Sequence, residues 1–249
     1  MNIVTLIVGN PSTGKTTSIR DLGKDTFIIN AEKKALPFRA NGAVNYPLGT
    51  RDATPATDKS PALPAKSVKE HMWFVLDSLK KSPKYTNIVI DSFSAFTDAI
   101  LAECKTKYKG FDVWNNYNSI IYEFFQKLKE LPRKFVFVIS HIEYLVDADG
   151  NTVIRTKAKG KEWEGMVEKE VTCVLYSRIQ KKDTGNGVLY QFVTNSDGYL
   201  PGKTPMGMFN PETEIYIPNN VAEVIQRYKD YYALDDELKP IPQDANQYV

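Results

Sequence analysis

Residues Gly9-Asn10-Pro11-Ser12-Thr13-Gly14-Lys15-Thr16 complete the spacing G-x-x-x-x-G-K-[ST] of a phosphate-binding loop. Glycines in such a loop let backbone N–H groups turn inward around a phosphate, and a following helix N-terminus adds partial positive charge. Lys15 is then the cation for the β- and γ-phosphates, and the Thr16 hydroxyl is an oxygen ligand for Mg²⁺. The candidate ATP contacts are Gly9, Asn10, Pro11, Ser12, Thr13, Gly14, Lys15, Thr16 and Thr17. The metal also asks for a carboxylate at the end of a buried strand. Asp91, which closes the apolar run Ile88-Val89-Ile90, supplies it. An Asp at that position can instead cap the next helix. Hydrolysis further requires a group that activates or orients water. A second apolar run, Phe27-Ile28-Ile29-Asn30-Ala31-Glu32, also ends in an acid.

These residues need elements to hold them. The apolar residues Ile3, Val4, Leu6, Ile7 and Val8 before the loop read as a buried strand, and residues 15–22 after it read as a helix with no breaker until Gly23. Further strands are expected at 26–31, 87–91 and 134–140, and helices at 67–81, 95–107 and 114–130. Strands alternating with helical patterns predict an α/β fold, a mostly parallel sheet flanked by helices. Beyond residue 150 the pattern changes. Residues 170–180 and 188–194 are two apolar runs joined by the turn-rich Lys181-Lys182-Asp183-Thr184-Gly185-Asn186-Gly187, which predicts an antiparallel hairpin. One short helix is expected at 220–229. The stretch 46–66, with Pro47, Pro55, Pro61 and Pro64, has no periodicity and reads as a mobile insertion. A core over 1–229 and a flexible acidic tail over 230–249 complete the layout.

Composition bounds the partners. A net charge of +2 from 32 basic and 30 acidic residues gives no global polyanion signature, so a nucleic-acid surface has to be local. The two cysteines, Cys104 and Cys173, match no metal or redox spacing and point to a reduced, cytoplasmic protein. The loop begins at residue 9, which leaves no room for a signal peptide, and no apolar run approaches membrane-spanning length, so no membrane partner is expected. A guanine-recognising N-K-x-D sequence is missing, which favours ATP as the nucleotide.

Two motifs make the reading more specific. The run 27–37, Phe-Ile-Ile-Asn-Ala-Glu-Lys-Lys-Ala-Leu-Pro, resembles the RecA segment F-I-D-A-E-x-A-L-x-P with one extra residue, and Ile88–Phe96 is similar to the RecA run ending D-S-x-A-A-L. The resemblance implies a RecA-like P-loop core and makes Glu32 the catalytic carboxylate. It implies a sensor role for His141, which follows the strand 134–140 where RecA-like ATPases usually carry Gln. It also makes 147–165 the mobile loop that contacts single-stranded DNA, with Arg155, Lys157, Lys159 and Lys161 tracking phosphates and Trp163 stacking on a base. Recombinase relatives such as RadA carry K-x-R-x-G near residues 202–209, and Lys203 fits as a cation reaching a neighbour's ATP, although Pro205 stands where the Arg would be. The layout is similar to the single-domain, RecA-core recombinases and annealing proteins of bacteriophages. Expected partners are single-stranded DNA, further copies in a ring or filament, and a single-strand-binding protein. A helicase-type motor and a nucleotide-dependent switch or loader acting through a protein partner are the other classes these motifs permit.

Overall fold

The computed structural model describes residues 2–53, 64–146 and 149–240. Strands β1 (Asn2–Gly9), β2 (Thr26–Asn30), β3 (Val44–Pro47), β4 (Asn87–Asp91), β5 (Lys134–Val146), β6 (Thr152–Thr156), β7 (Cys173–Lys181), β8 (Val188–Val193) and β9 (Tyr216–Pro218) form one sheet. Its order is β3-β2-β4-β5-β1-β7-β8-β9, with β6 attached to the end of β5. The pairs from β3 to β7 are parallel, and β7-β8-β9 turn antiparallel. The expected fold class, a mostly parallel α/β sheet with flanking helices and an antiparallel C-terminal hairpin, is the one observed.

The period of two along β1 builds two cores. Val4, Leu6 and Val8 face a core covered by α1 (Val68–Lys81), α2 (Phe93–Lys107) and α3 (Phe111–Lys129). Ile3 and Ile7 face a second core under α4 (Val221–Tyr231). Strands buried on both faces read as continuous apolar runs, which is why β1, β4 and the first half of β5 are so conspicuous in the sequence. The first core is aromatic at its centre: the Phe93 ring lies 5.7 Å from Phe124 and 5.4 Å from Phe125, and Phe96 lies 4.9 Å from Phe124, centroid to centroid. The caps follow from sequence. Ser67 accepts from Glu70 N while Glu70 returns to Ser67 N, a capping box on α1. Ser92 caps α2, so Asp91 is not occupied as a cap.

One expectation needs correction, and two further segments are described in part. After the phosphate-binding loop the chain makes only a 3₁₀ turn at Thr17–Ile19, not a helix over 15–22. The Ser18 hydroxyl donates to Lys15 O at 2.6 Å, competing with the backbone ladder, and Gly23 follows closely. The stretch 46–66 is anchored at both ends, because β3 runs into it, Leu48 is buried, and Arg51 pairs with Lys66; residues 54–63 lie outside the described residues. The tail packs as far as Pro240, with Leu234 and Leu238 buried in the second core. Residues 241–249 lie outside the described residues.

Candidate functional site

The parallel strands end on one edge of the sheet, and register fixes which residues meet there. Gly9 stands opposite His141 on β5, Asn30 opposite Asp91, and Asp91 opposite Ile139. Strand β5 therefore stands between the loop strand β1 and the acid-bearing strand β4. The cleft at this edge has a volume of about 310 Å³ and is lined by Lys15, Thr16, Glu32, Lys34, Asp91 and His141 together with loop residues.

The loop fits a phosphate. A Cβ on Gly9 would meet Ser177 O at 2.6 Å, so only glycine lets the chain turn there. Gly14 adopts a φ of +88° beneath the Tyr190 ring. The crown is held from outside, with Ser177 donating to Thr13 O at 2.5 Å and Asn219 donating to Ser177 Oγ at 2.7 Å. Lys15 is buried, its ammonium bonded to Gly9 O at 3.0 Å and Asn10 O at 2.7 Å. Burial lowers its pKa to about 8, against the opposing pull of the nearby Asp91 and Glu32 carboxylates. A phosphate in the cleft restores the charge that burial disfavours.

Thr16 Oγ1 donates to Asp91 Oδ2 at 2.8 Å, so a hydroxyl and a carboxylate oxygen stand side by side. Burial pushes the Asp91 pKa up, only partly offset by the Thr16 hydrogen bond. A cation beside it relieves that penalty. Among the described residues no group of three or more His, Cys, Asp or Glu gathers to hold a metal. A pair of oxygen donors with room for phosphate and water suits Mg²⁺, which is seldom caged by protein alone.

Glu32 occupies the opposite wall. Its Oε1 accepts from the Ser92 hydroxyl at 2.9 Å and lies 3.6 Å from His141 Nε2, and its Oε2 lies 2.6 Å from Lys34 Nζ. Burial alone raises its pKa, but hydrogen bonds from Lys34 and Ser92 and the charges of Lys34 and His141 turn the net shift downward. His141 is held neutral near pH 7, because burial and the Lys15 charge lower its pKa against the pull of Glu32. Its backbone N–H donates to Ser94 Oγ at 3.1 Å, and Ser94 bonds Ser140 at 2.9 Å.

Sequence reasoning brought Lys15, Thr16, Asp91, Glu32 and His141 to this cleft. It missed Ser92 and Lys34. The available signals were a cap-type residue immediately after the acid of β4, and a cation two positions after Glu32.

The remaining candidates lie elsewhere. Lys203 donates to Glu168 O and Val171 O, both at 2.9 Å, and its backbone pairs with Val174. Its ammonium bonds carbonyls of its own chain, outside the cleft. Residues 149–165 are not a featureless loop: β6 pairs antiparallel with the outer half of β5, and a 3₁₀ turn spans Lys161–Trp163. Residues 147 and 148 lie outside the described residues. Arg155 on β6 and Lys157 and Lys159 beyond its end are half-buried and alternate with buried Ile154, Thr156 and Ala158. Lys161 is exposed, and Lys159 lies 3.7 Å from Asp98. Trp163 is only 5% exposed, its ring 6.0 Å from Phe125, and so does not present a stacking surface. The exposed aromatic of this hairpin is Tyr144, 52% exposed, whose hydroxyl accepts from Asn10 in the phosphate-binding loop at 2.9 Å.

Comparison with known proteins adds the following. Residues 1–204 match the model of a family described as AAA domain. No curated protein matches the chain. Among solved structures, it is similar to the flagellar accessory protein FlaH from Methanocaldococcus jannaschii, with 10% identity, 82% of each chain covered and a TM-score of 0.37. It is also similar to a KaiC-like protein from Pyrococcus horikoshii, with 13% identity, 76% of this chain and 78% of that one covered, and a TM-score of 0.41.

Proposed function

The chain belongs to the AAA domain family and carries a RecA-like P-loop core, and on that premise we propose that it is a Mg²⁺-dependent ATPase that binds single-stranded DNA and serves in annealing or strand exchange, as phage recombinases do. The observation that carries the reading is the meeting of Lys15, the Thr16–Asp91 pair, Glu32 and His141 in one cleft, at the inner end of a hairpin whose outer face is basic.

Each residue has a task. Lys15 and the inward-turned backbone of residues 9–16 bind and orient the phosphates of ATP. Thr16 and Asp91 provide the protein oxygens for Mg²⁺, which when bound neutralises phosphate charge. Ser92 fixes the Glu32 carboxylate, and Glu32 orients a water toward the terminal phosphate and takes its proton. His141 lines the cleft beside Glu32, and its peptide begins the outer half of β5. A change at the phosphate thereby reaches the hairpin carrying Arg155 and Lys157. Lys157 N donates to His141 O at 2.8 Å, a direct tie between the sensor and the basic face. Arg155, Lys157, Lys159 and Lys161 contact the DNA backbone, with Tyr144 in place of Trp163 as the aromatic available to a base. Assembly into a ring or filament belongs to the same reading.

The test is steady-state ATP hydrolysis with no DNA, with a long single strand and with duplex, at low and moderate salt. Stimulation by the single strand alone is expected. Turnover that is measurable but indifferent to DNA would point instead to a switch controlled by a protein partner.

A further inference from the structure

We propose that Lys34 is a second phosphate-binding cation of this chain, one that distinguishes ATP from ADP by exchanging its ion pair with Glu32 for the terminal phosphate. The inference rests on reading the cleft as an ATPase site.

The geometry gives Lys34 access to both anions. Its ammonium lies 2.6 Å from Glu32 Oε2, and the residue lines the same cleft as Lys15, Thr16, Asp91 and His141. Its backbone is fixed: buried Asn30, at the end of β2, donates to Lys34 O at 2.7 Å and to Asn45 Oδ1 at 3.0 Å. Lys33, with a φ of +57°, turns the chain between Glu32 and Lys34 so that both face the cleft. The Lys34 side chain is 78% exposed, whereas that of Glu32 is 21% exposed. A pinned backbone with an open four-carbon stem allows the ammonium to swing while its origin stays put.

Charge decides where it goes. A terminal phosphate brings more than one negative charge up against the Glu32 carboxylate, and two anions side by side repel. Lys15 serves the phosphates from the loop side of the cleft, where it bonds Gly9 O and Asn10 O, and burial and the Lys15 charge lower the His141 pKa. Lys34, paired with Glu32 on an open stem, is the lining cation able to swing from Glu32 to the phosphate, and a compact ammonium satisfies a phosphate oxygen from many directions. Once it does, Glu32 Oε2 loses its partner and becomes an acceptor for water, while Ser92 still holds Oε1. Binding of the terminal phosphate thereby frees the base that takes the proton of the attacking water. ADP has no group in reach and leaves the Lys34–Glu32 pair intact.

The experiment measures equilibrium binding of Mg·ADP and of Mg·AMPPNP, a non-hydrolysable ATP analogue, to the wild type, Lys34→Ala and Lys34→Arg. Lys34→Ala should weaken AMPPNP about tenfold, the value of a charged hydrogen bond, and ADP less than twofold. Lys34→Arg should recover most of the loss. ADP binding reports that each variant is folded. An equal effect on both nucleotides, or none on either, overturns the inference while leaving the ATPase reading intact. A wild type that binds neither nucleotide overturns the ATPase reading itself.

Discussion

Strand β5 runs through two environments. From Lys134 to Ser140 every residue is buried, and the strand is paired on both sides, to β1 and to β4. From Ile142 to Val146 it pairs with β6, and its side chains alternate between exposed and half-buried. In the inner half a slip of one residue would send Phe135, Phe137 and Ile139 into the wrong core, so the register is fixed and the cleft residues with it. In the outer half one ladder holds the hairpin, together with the Asn10–Tyr144 hydrogen bond, buried Ile154 and two hydrogen bonds from Thr156 to Glu168. Under the proposed function, chemistry belongs to the inner half and signalling to the outer half, where β5 pairs with β6 alone.

The largest effect that would break this division is on stability. Phe137 is fully buried in the second core, so Phe137→Ala should cost about 3–5 kcal/mol in a denaturant titration. Val146 is 73% exposed, and Val146→Ala should stay within about 0.5 kcal/mol. Comparable losses at the two positions would mean that the outer half is as much a part of the core as the inner one. Next in size is Glu32→Gln. It keeps the shape of the side chain and removes the base, so hydrolysis should fall about a hundredfold or more while nucleotide binding survives. Stopped binding in place of stopped turnover would remove Glu32 from its role.

The same division explains what could be read from sequence. The inner strands are apolar on both faces, and their acids stand at the ends, so β1, β2, β4, Asp91 and Glu32 were legible as runs and terminators. Strand β3 was not: it is a four-residue edge with alternating exposure, and Pro47 ends it. Strand β6 was hidden because it is short and carries Arg155, which with Lys157 just beyond its end reads as loop. Trp163 among lysines looks like a stacking platform, and nothing local reveals that α3 brings Phe125 against it. Lys203 and Lys15 both hold two backbone carbonyls, yet only the fold distinguishes the cation in the cleft from the one outside it.

Neutralising Lys157, Lys159 and Lys161 together tests the outer half on its own terms. Affinity for single-stranded DNA should fall, and the slope of log affinity against log salt should become shallower by about 2 if all three meet phosphates. An unchanged slope would take the hairpin's basic face out of DNA binding.

The smallest expected effect lies at the joint. Ser94, buried on α2, accepts the His141 N–H and bonds the Ser140 hydroxyl, so it grips β5 where the strand passes from one environment to the other. Ser94→Ala leaves both groups short of a partner and should cost about 1–2 kcal/mol. Where that cost is felt matters more than its size. Amide hydrogen exchange over residues 141–146 should quicken in the variant, because the outer half depends on the joint for its attachment, while exchange over 134–140 should not change, since two neighbouring strands hold it. If both halves loosen together, β5 is one cooperative unit, and a signal from the phosphate has no separate element to move.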